Sequence, residues 1–523
     1  MKMVKDLGPT LGRRSFLVGA AALGAITGLD LRRMALAADG ATFTFGRPME
    51  TVQFDPHASQ LSSSWHIQHL AVETLVTMGQ DKTIQPGLAT AWEWQGSTLV
   101  FTLREGVKFA NGRDMTAEDV SASLERALTT KGNPWGLILR NRTAIKADGN
   151  KVSIEFSSPN NAALSALCAT LTCILPMKEV ADGSYDPTGE MFTGTGPFYV
   201  TEHIANDRWV LTANPHYWGG APKVQTLVVR TIPSAQGLVA ALTDGSIDAA
   251  MFNGDPDAEA LLAAVPNVQT SVMETTDFAY LGLNCLGPDT PFADKRVRQA
   301  VALAVDRQQI IDFAMAGQAK LSYGWTQWGL TDDSKLALRD RDLERARALM
   351  AEAAPARTSL RYLIRAGSIN EQVAQVLKQN LAEIGLDCQL ETVDGGVWAK
   401  RVWGSSPSDM DLTNSSYTGF AHPLVTAHWW APELSKFTAG YVPENPAYTA
   451  ALNVATMEAV GDEAVNAALQ TLYGIINEEA VKIPLCQMTD TIAWRADRVD
   501  MVPSTFETQN DVMNGIEAWS VKA

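Results

Sequence analysis

The chain has little of what most catalytic and metal chemistry requires. It holds seven histidines and five cysteines in 523 residues. The cysteines (Cys168, Cys173, Cys285, Cys388 and Cys486) show no C-x-x-C spacing, so no zinc or dithiol redox motif is implied. An odd number cannot all pair within the chain; they read as buried small hydrophobes, although an oxidising compartment would permit a bridge. G-x-S-x-G, H-E-x-x-H, the Walker loop and G-x-G-x-x-G are all missing. No catalytic residue, metal ligand or cofactor is therefore assigned. Basic residues are also scarce, 42 against 58 acidic ones for a net charge of −16, which argues against nucleic acid or anionic lipid as a partner. Beyond residue 37 no stretch is long and apolar enough to span a bilayer.

What is present starts with an export signal over residues 1–37. A basic start leads through Arg13-Arg14-Ser15-Phe16-Leu17 into a mildly apolar run with Gly19, Gly24 and Gly28, and Ala35-Leu36-Ala37 offers small residues for cleavage. The paired arginines followed by Phe and Leu resemble the twin-arginine signal, whose passengers are exported folded. No cysteine lies near Ala37, so a soluble periplasmic protein is expected rather than a lipid-anchored one. The segment carries six basic and two acidic residues, leaving about −20 on the remainder. That remainder is long enough for about two to four domains.

Along the chain, strands alternate with helices, an α/β pattern. Strands are expected at Ala41–Gly46, Thr98–Arg104, Trp209–Ala213, Leu227–Ile232, Phe278–Asn284, Leu360–Arg365 and Cys388–Val393, with others near Leu485 and Ile492–Trp494. Asp148-Gly149 marks a hairpin turn within Thr143–Phe156. Thr116-Ala117-Glu118-Asp119 caps a helix running through Leu128. Further helices are expected over Ser62–Glu73, Ser234–Leu242, Asp294–Ala304, Asp340–Ala353 and Asn370–Ile384. Asn414–Trp430, with Tyr417, Phe420, His422, His428, Trp429 and Trp430 among turn residues, reads as an irregular aromatic loop forming one wall of a ligand pocket.

Several blocks, in order, carry a family resemblance. They are Gln85-Pro86-Gly87-Leu88-Ala89 with Trp92, Phe101 to Phe109, Met115 to Val120, Gly194-Thr195-Gly196-Pro197-Phe198, Asn214-Pro215-His216-Tyr217-Trp218, Arg296 to Ala300, and Leu381 to Gly385. With these the chain resembles the extracytoplasmic solute-binding proteins of ABC importers, in the oligopeptide, dipeptide and nickel-binding family. The resemblance implies a two-lobed α/β periplasmic binding protein fold with a two-segment hinge and an extra domain inserted in lobe I. Lobe I would be 38–73, 192–281 and 489–523, the extra domain 74–191, and lobe II 282–488. It also implies a non-enzymatic monomer that captures a small peptide-like or amino-acid-derived solute and delivers it to the permease's transmembrane subunits.

The family's peptide binders use a Trp-Thr-Gly-Asp run whose acid pairs with the ligand ammonium. Here the matching run is Tyr417-Thr418-Gly419-Phe420, so the acid is replaced by a phenyl group, and the following Asp-Pro becomes His422-Pro423. A buried ammonium without a counter-ion costs several kcal/mol, so a simple peptide amine lacks its usual partner there. Phe420→Asp is then expected to favour free amines. Arg365 matches an arginine that holds the ligand carboxylate, as its bidentate fork suits. Trp403 and Trp429, like Trp398 and Trp430, offer flat faces for rings or cations. Ser62 and Ser63 fall where lobe I contributes main-chain and hydroxyl contacts, and equally read as a helix cap. His66 and His69, spaced i,i+3, and the plentiful carboxylates keep open a metal chelate, a sugar, an opine, or an exported hydrolase.

Overall fold

A computed structural model describes residues 41–522 apart from 132, 256, 324–331, 421, 435–437 and 508–512. The export signal and its cleavage site lie outside the described residues. Among the described residues, no helix is long and apolar enough to cross a membrane.

Most strands join one mixed sheet of twelve. Its first half is built by crossover helices. Strand Ser359–Arg365 leads through helix Ser368–Ala382 to the parallel strand Asp387–Val393, and helix Gly395–Val402 leads on to Leu412–Tyr417, parallel to Ser359–Arg365 on its other side. In the second half, Thr42–Arg47 lies parallel to both Thr226–Thr231 and Ala249–Met251, the latter two linked by helix Ala235–Asp244. Antiparallel strands Arg208–Ala213 and Phe198–Ile204 complete that side. Phe43, Phe45, Trp209 and Trp519 fill the core beneath it.

The halves meet through two long strands, Val268–Leu283 and Lys482–Arg495. They pair antiparallel from Val268 opposite Arg495 to Gly282 opposite Lys482. The register breaks twice: Thr275–Asp277 bulge between the pairs Glu274/Thr489 and Phe278/Gln487, and Leu485 is left over next to Pro484. A proline has no N–H for the ladder, which favours such an irregularity. The expected Phe278–Asn284 strand is thus the end of a 16-residue strand, and the strands at Leu485 and Ile492–Trp494 are parts of one strand of 14. The alternation was obscured in Gln269–Ser271, whose polar side chains give no apolar face to read.

A separate antiparallel sheet of four strands, Ala89–Gln95, Thr98–Leu103, Lys151–Phe156 and Arg142–Asp148, packs against helix Ala117–Thr129. The expected capping box is present: Thr116 Oγ1 accepts from Asp119 N at 3.2 Å and the Asp119 carboxylate accepts from Thr116 N at 3.0 Å. Gly149 turns the hairpin with φ +59°, a conformation that costs other residues strain. All five cysteines are free thiols; Cys168 is half-buried and the other four are buried.

Asn414–Trp430 is more regular than its composition suggests. Asn414–Tyr417 completes strand Leu412–Tyr417, Pro423–Ala427 is a short helix, and His428–Trp430 a 3₁₀ turn. Between them Gly419 lies directly on the bulge of the crossing strand: a Cβ there would stand 2.1 Å from the Thr276 carbonyl oxygen. Gly419→Ala should therefore cost about 2–4 kcal/mol through forced backbone movement. A urea denaturation midpoint equal to that of the parent protein would contradict this contact.

Candidate functional site

The parallel strands of both halves run toward one cleft. Arg365 and Tyr417 end their strands there, and Glu50 and Asn253 follow strands Thr42–Arg47 and Ala249–Met251. Ligands of open α/β sheets bind beyond these carboxyl ends, where loops can supply side chains without breaking the ladder. The cleft has two connected chambers of ≈ 130 and ≈ 410 Å³ that share Leu61, Ser62, Arg365, Ser416 and Thr418. Their size suits a small organic solute.

The smaller chamber is aromatic. Trp65, Trp135, Trp403, Tyr417, Phe420 and Trp429 line it. Tyr417 stacks on Tyr280 (4.7 Å between centroids, 8° between planes), and Phe420 meets Trp135 edge-on at 4.9 Å. Phe420 is only 4 % exposed and also contacts Trp65 and Trp429. An acid at 420 would enter a cluster of Trp65, Trp135 and Trp429, so the expectation that Phe420→Asp recruits an amine gives way to one of destabilisation, by several kcal/mol.

Behind this wall sits Lys482, fully buried, a residue that sequence reading missed. Its Nζ donates to the Trp429 carbonyl at 3.1 Å and to Tyr417 Oη at 3.3 Å, and lies 4.5 Å from the Trp430 ring. Burial holds its pKa well below the ordinary lysine value. The only hint in the sequence was a lysine set among Val481, Ile483 and Leu485.

The larger chamber is polar. Glu50, Ser63, Asn253, Asp277, Thr489 and Asp490 line it. Burial pushes the Glu50 carboxyl up, but donations from the Trp209 indole and the Thr51 and Asn206 N–H groups outweigh it and hold the carboxyl below its ordinary value. Arg365, on the border of both chambers, is the cation of the cleft. Its guanidinium makes no ion pair or hydrogen bond among the described residues, and desolvation by its surroundings lowers its pKa. Gly395 leaves it room, since a Cβ there would stand 3.3 Å from Arg365 Nε.

Of the expected residues, Arg365, Thr418, Ser62, Ser63, Tyr417, Phe420, Trp403 and Trp429 meet at the cleft. Ser62 is not a helix cap: Leu61 occupies that position with no side-chain bond. Gly419 does not line either chamber; it packs on Thr276, its N–H donating to Asp277 Oδ1 at 3.2 Å. His422 is also outside, capping helix Pro423–Ala427 by accepting the Leu424 N–H at Nδ1, 3.1 Å. Trp398 is buried with its indole on Thr413, and Trp430 belongs to the Lys482 cage. His69 is engaged with the Trp65 carbonyl at 2.7 Å. Among the described residues, no three His, Cys, Asp or Glu side chains are grouped to hold a metal ion. Sequence reading overlooked Trp65, Trp135, Asp277 and Asp490. The two acids stand out only as carboxylates inside β-type runs, Thr275 to Tyr280 and Thr489 to Trp494. A further cavity of ≈ 230 Å³ adjoins Glu73 and Trp218, but its polar wall is closed on itself, with Trp218 Nε1 donating to both Glu73 oxygens (2.9 and 3.1 Å).

The His422 cap predicts a pH effect. Burial lowers its pKa from 6.5 to about 4. As pH falls through that window the unfolded chain takes up a proton that the folded chain refuses, so stability present above pH 6.5 is lost toward pH 4, by up to ~3 kcal/mol. His422→Asn keeps a capping oxygen. It should flatten the melting-temperature profile between those pH values and leave solute affinity unchanged.

A profile of the bacterial extracellular solute-binding proteins, family 5, middle region, matches residues 83–435. Di/tripeptide-binding protein 2 of Pseudomonas aeruginosa is 28% identical over 350 residues, 61% of this chain and 65% of that protein, so the match spans just under two thirds of the relative. The PBP AgaA in complex with agropinic acid, from A. tumefaciens R10, superposes with a TM-score of 0.80 at 23% identity over 92% of this chain and 98% of its own. DppA from Helicobacter pylori in complex with the peptide STSA gives a TM-score of 0.77 at 22% identity over 90% and 97%. The profile match, over more than half of the sequence, and the two-lobed fold agree: this chain belongs to the bacterial extracellular solute-binding proteins, family 5.

Proposed function

We propose that the protein is the solute-capturing component of an ABC importer, taking a small peptide-like or amino-acid-derived solute into the cleft and presenting the closed form to the permease. The observation that carries this reading is Arg365, an unpartnered guanidinium on the border of two chambers walled by both halves of the molecule. Such a group suits a carboxylate because two parallel N–H donations match its two oxygens. The aromatic chamber takes the apolar or planar part of the same solute. Tyr417, Thr418, Phe420, Trp403 and Trp429 act from one side of the cleft and Ser62 and Ser63 from the other; Gly419 and His422 support the wall from behind.

The proposed lobes are 38–73, 192–281 and 489–523 against 282–488, with 74–191 inserted. The independent sheet around Thr98–Leu103 and the register break near Thr275–Asp277 support those divisions. Contacts from the inserted segment also favour a closed form: Asn161 Nδ2 donates to the Ala455 and Ala459 carbonyls (2.8 and 3.0 Å), and Arg140 bonds Asn453. Export through the twin-arginine route, a periplasmic location and a monomeric state complete the reading. Capture and release need no bond-breaking step, so the protein is not an enzyme in this reading. The aromatic chamber gives a second solute class, a ring-bearing opine, specific support.

Two measurements test this. Thermal melting with peptides, opines, sugars and metal chelates should show stabilisation by a carboxylate-bearing solute, about 2.7 kcal/mol at a hundredfold excess over Kd. Turnover of any of them would refute the reading. Arg365→Ala should weaken that solute by ~1.5–3 kcal/mol in titration calorimetry; an unchanged Kd would remove Arg365 from the site.

A further inference from the structure

The polar chamber contains a charge that a carboxylate-binding arginine does not use. Asp490 lies on the crossing strand Lys482–Arg495 and is 3 % exposed. Its Oδ1 accepts the Gly254 N–H at 2.9 Å and the Thr491 N–H at 2.7 Å. Its Oδ2 is buried and makes no hydrogen bond of normal geometry, although the Phe252 and Asn253 N–H groups also face the carboxylate. A bare carboxylate oxygen in a protein interior is costly and is uncommon without a functional reason. Asp277 lines the same chamber from the bulge of the neighbouring strand, 7 % exposed, with Oδ1 oriented by the Gly419 N–H. Glu50, the third carboxylate of the chamber, is occupied by Thr51, Asn206 and Trp209.

We infer that Asp490, with Asp277, forms the subsite for a cationic group of the solute, an ammonium or guanidinium, so that the acid missing at Phe420 is supplied by the crossing strands. This rests on the reading of the cleft as a solute site and narrows the solute to one with both a carboxylate and a cation. Arg365, at the junction of the chambers, takes the first; the large chamber takes the second. The ligand's cation then completes the hydrogen bonding of Asp490 Oδ2. Because both acids lie on the segments joining the halves, occupancy of this subsite bears directly on closure.

The electrostatics supply a second readout. Burial pushes the Asp490 carboxyl up to about 7. The charged groups around it are Glu50, Asp277 and Arg365 in the chamber and Asp255 beyond Gly254. Glu274, on the paired strand, is tied to Lys320 and Lys82. Below its pKa Asp490 is protonated and neutral, so attraction for a cation falls as pH drops through about 7.

Titration calorimetry with tri-alanine and N-acetyl-tri-alanine, at about pH 8 and about pH 5.5, tests the assignment. The parent protein should bind the free amine about tenfold or more tighter at the higher pH, with a smaller preference at the lower one. Asp490→Asn should abolish the preference, so that the two peptides bind with equal affinity. Equal binding of both peptides by the parent protein, with Arg365→Ala weakening both, would overturn the cation subsite and leave the solute site standing. Failure of both to bind would overturn the peptide-like reading and the subsite together. The ligand-free Asp490→Asn protein should melt at or above the parent's temperature at about pH 8, since it loses a half-satisfied buried charge. A lower melting temperature would make Asp490 a structural carboxylate and overturn its assignment to the solute.

Discussion

Among the described residues, main-chain hydrogen bonds pass from one half of the large sheet to the other through the ladder between Val268–Leu283 and Lys482–Arg495. An extended pair that is continuous in both halves sets their spacing, and a break in its register bends the strand that carries it. The break at Thr275–Asp277 also re-aims side chains, which is how Asp277 comes to line the polar chamber. Gly419 fits against that bulge because it has no Cβ, and the aromatic wall that starts at Tyr417 is carried to its place by the fit.

The cleft is divided by chemistry as well as by shape. Among the described residues its aromatic chamber is lined by no carboxylate, and Lys482, on the core side of that wall, is enclosed by Tyr280, Tyr417, Trp430 and Tyr441. Attraction between an ammonium and the ring faces compensates for part of its lost hydration, and two oxygens accept hydrogen bonds from Nζ. Charge exposed to a solute is concentrated instead at Arg365 and on the polar side. Under the proposed reading of the cleft, such a site orients a ligand by its two ends while tolerating variation in the part between them, because stacking and apolar contact are less directional than paired charges.

Local features were legible in the sequence in proportion to how local their physics is. The capping box at Thr116 and Asp119, the turn at Gly149 and the crossover helices follow from side chains a few residues apart. Arg365 and Tyr417 could be placed because the runs that hold them match the family's pattern, although Leu412–Tyr417 is itself polar along most of its length. The aromatic loop was harder, since Asn414–Tyr417 owes its strand to partners at Phe278–Leu281, far away in the chain. His422 stands out because it replaces the acid of the family's Asp-Pro beside the pocket run, yet its ring accepts a backbone N–H two residues on.

The sequence by itself determined the α/β class, the family, the acidic balance, and most residues of the aromatic wall, because these depend on composition, periodicity and short motifs. Only the tertiary structure decided that Val268–Leu283 and Lys482–Arg495 are single crossing strands. It also decided that Asp277 and Asp490, more than two hundred positions apart, share one chamber, and that Lys482 is caged behind Tyr417. The reason is physical: a carboxylate or ammonium carries the same formula on the surface and in the core. Its role is set by which distant groups desolvate it and which of its atoms they leave without a partner.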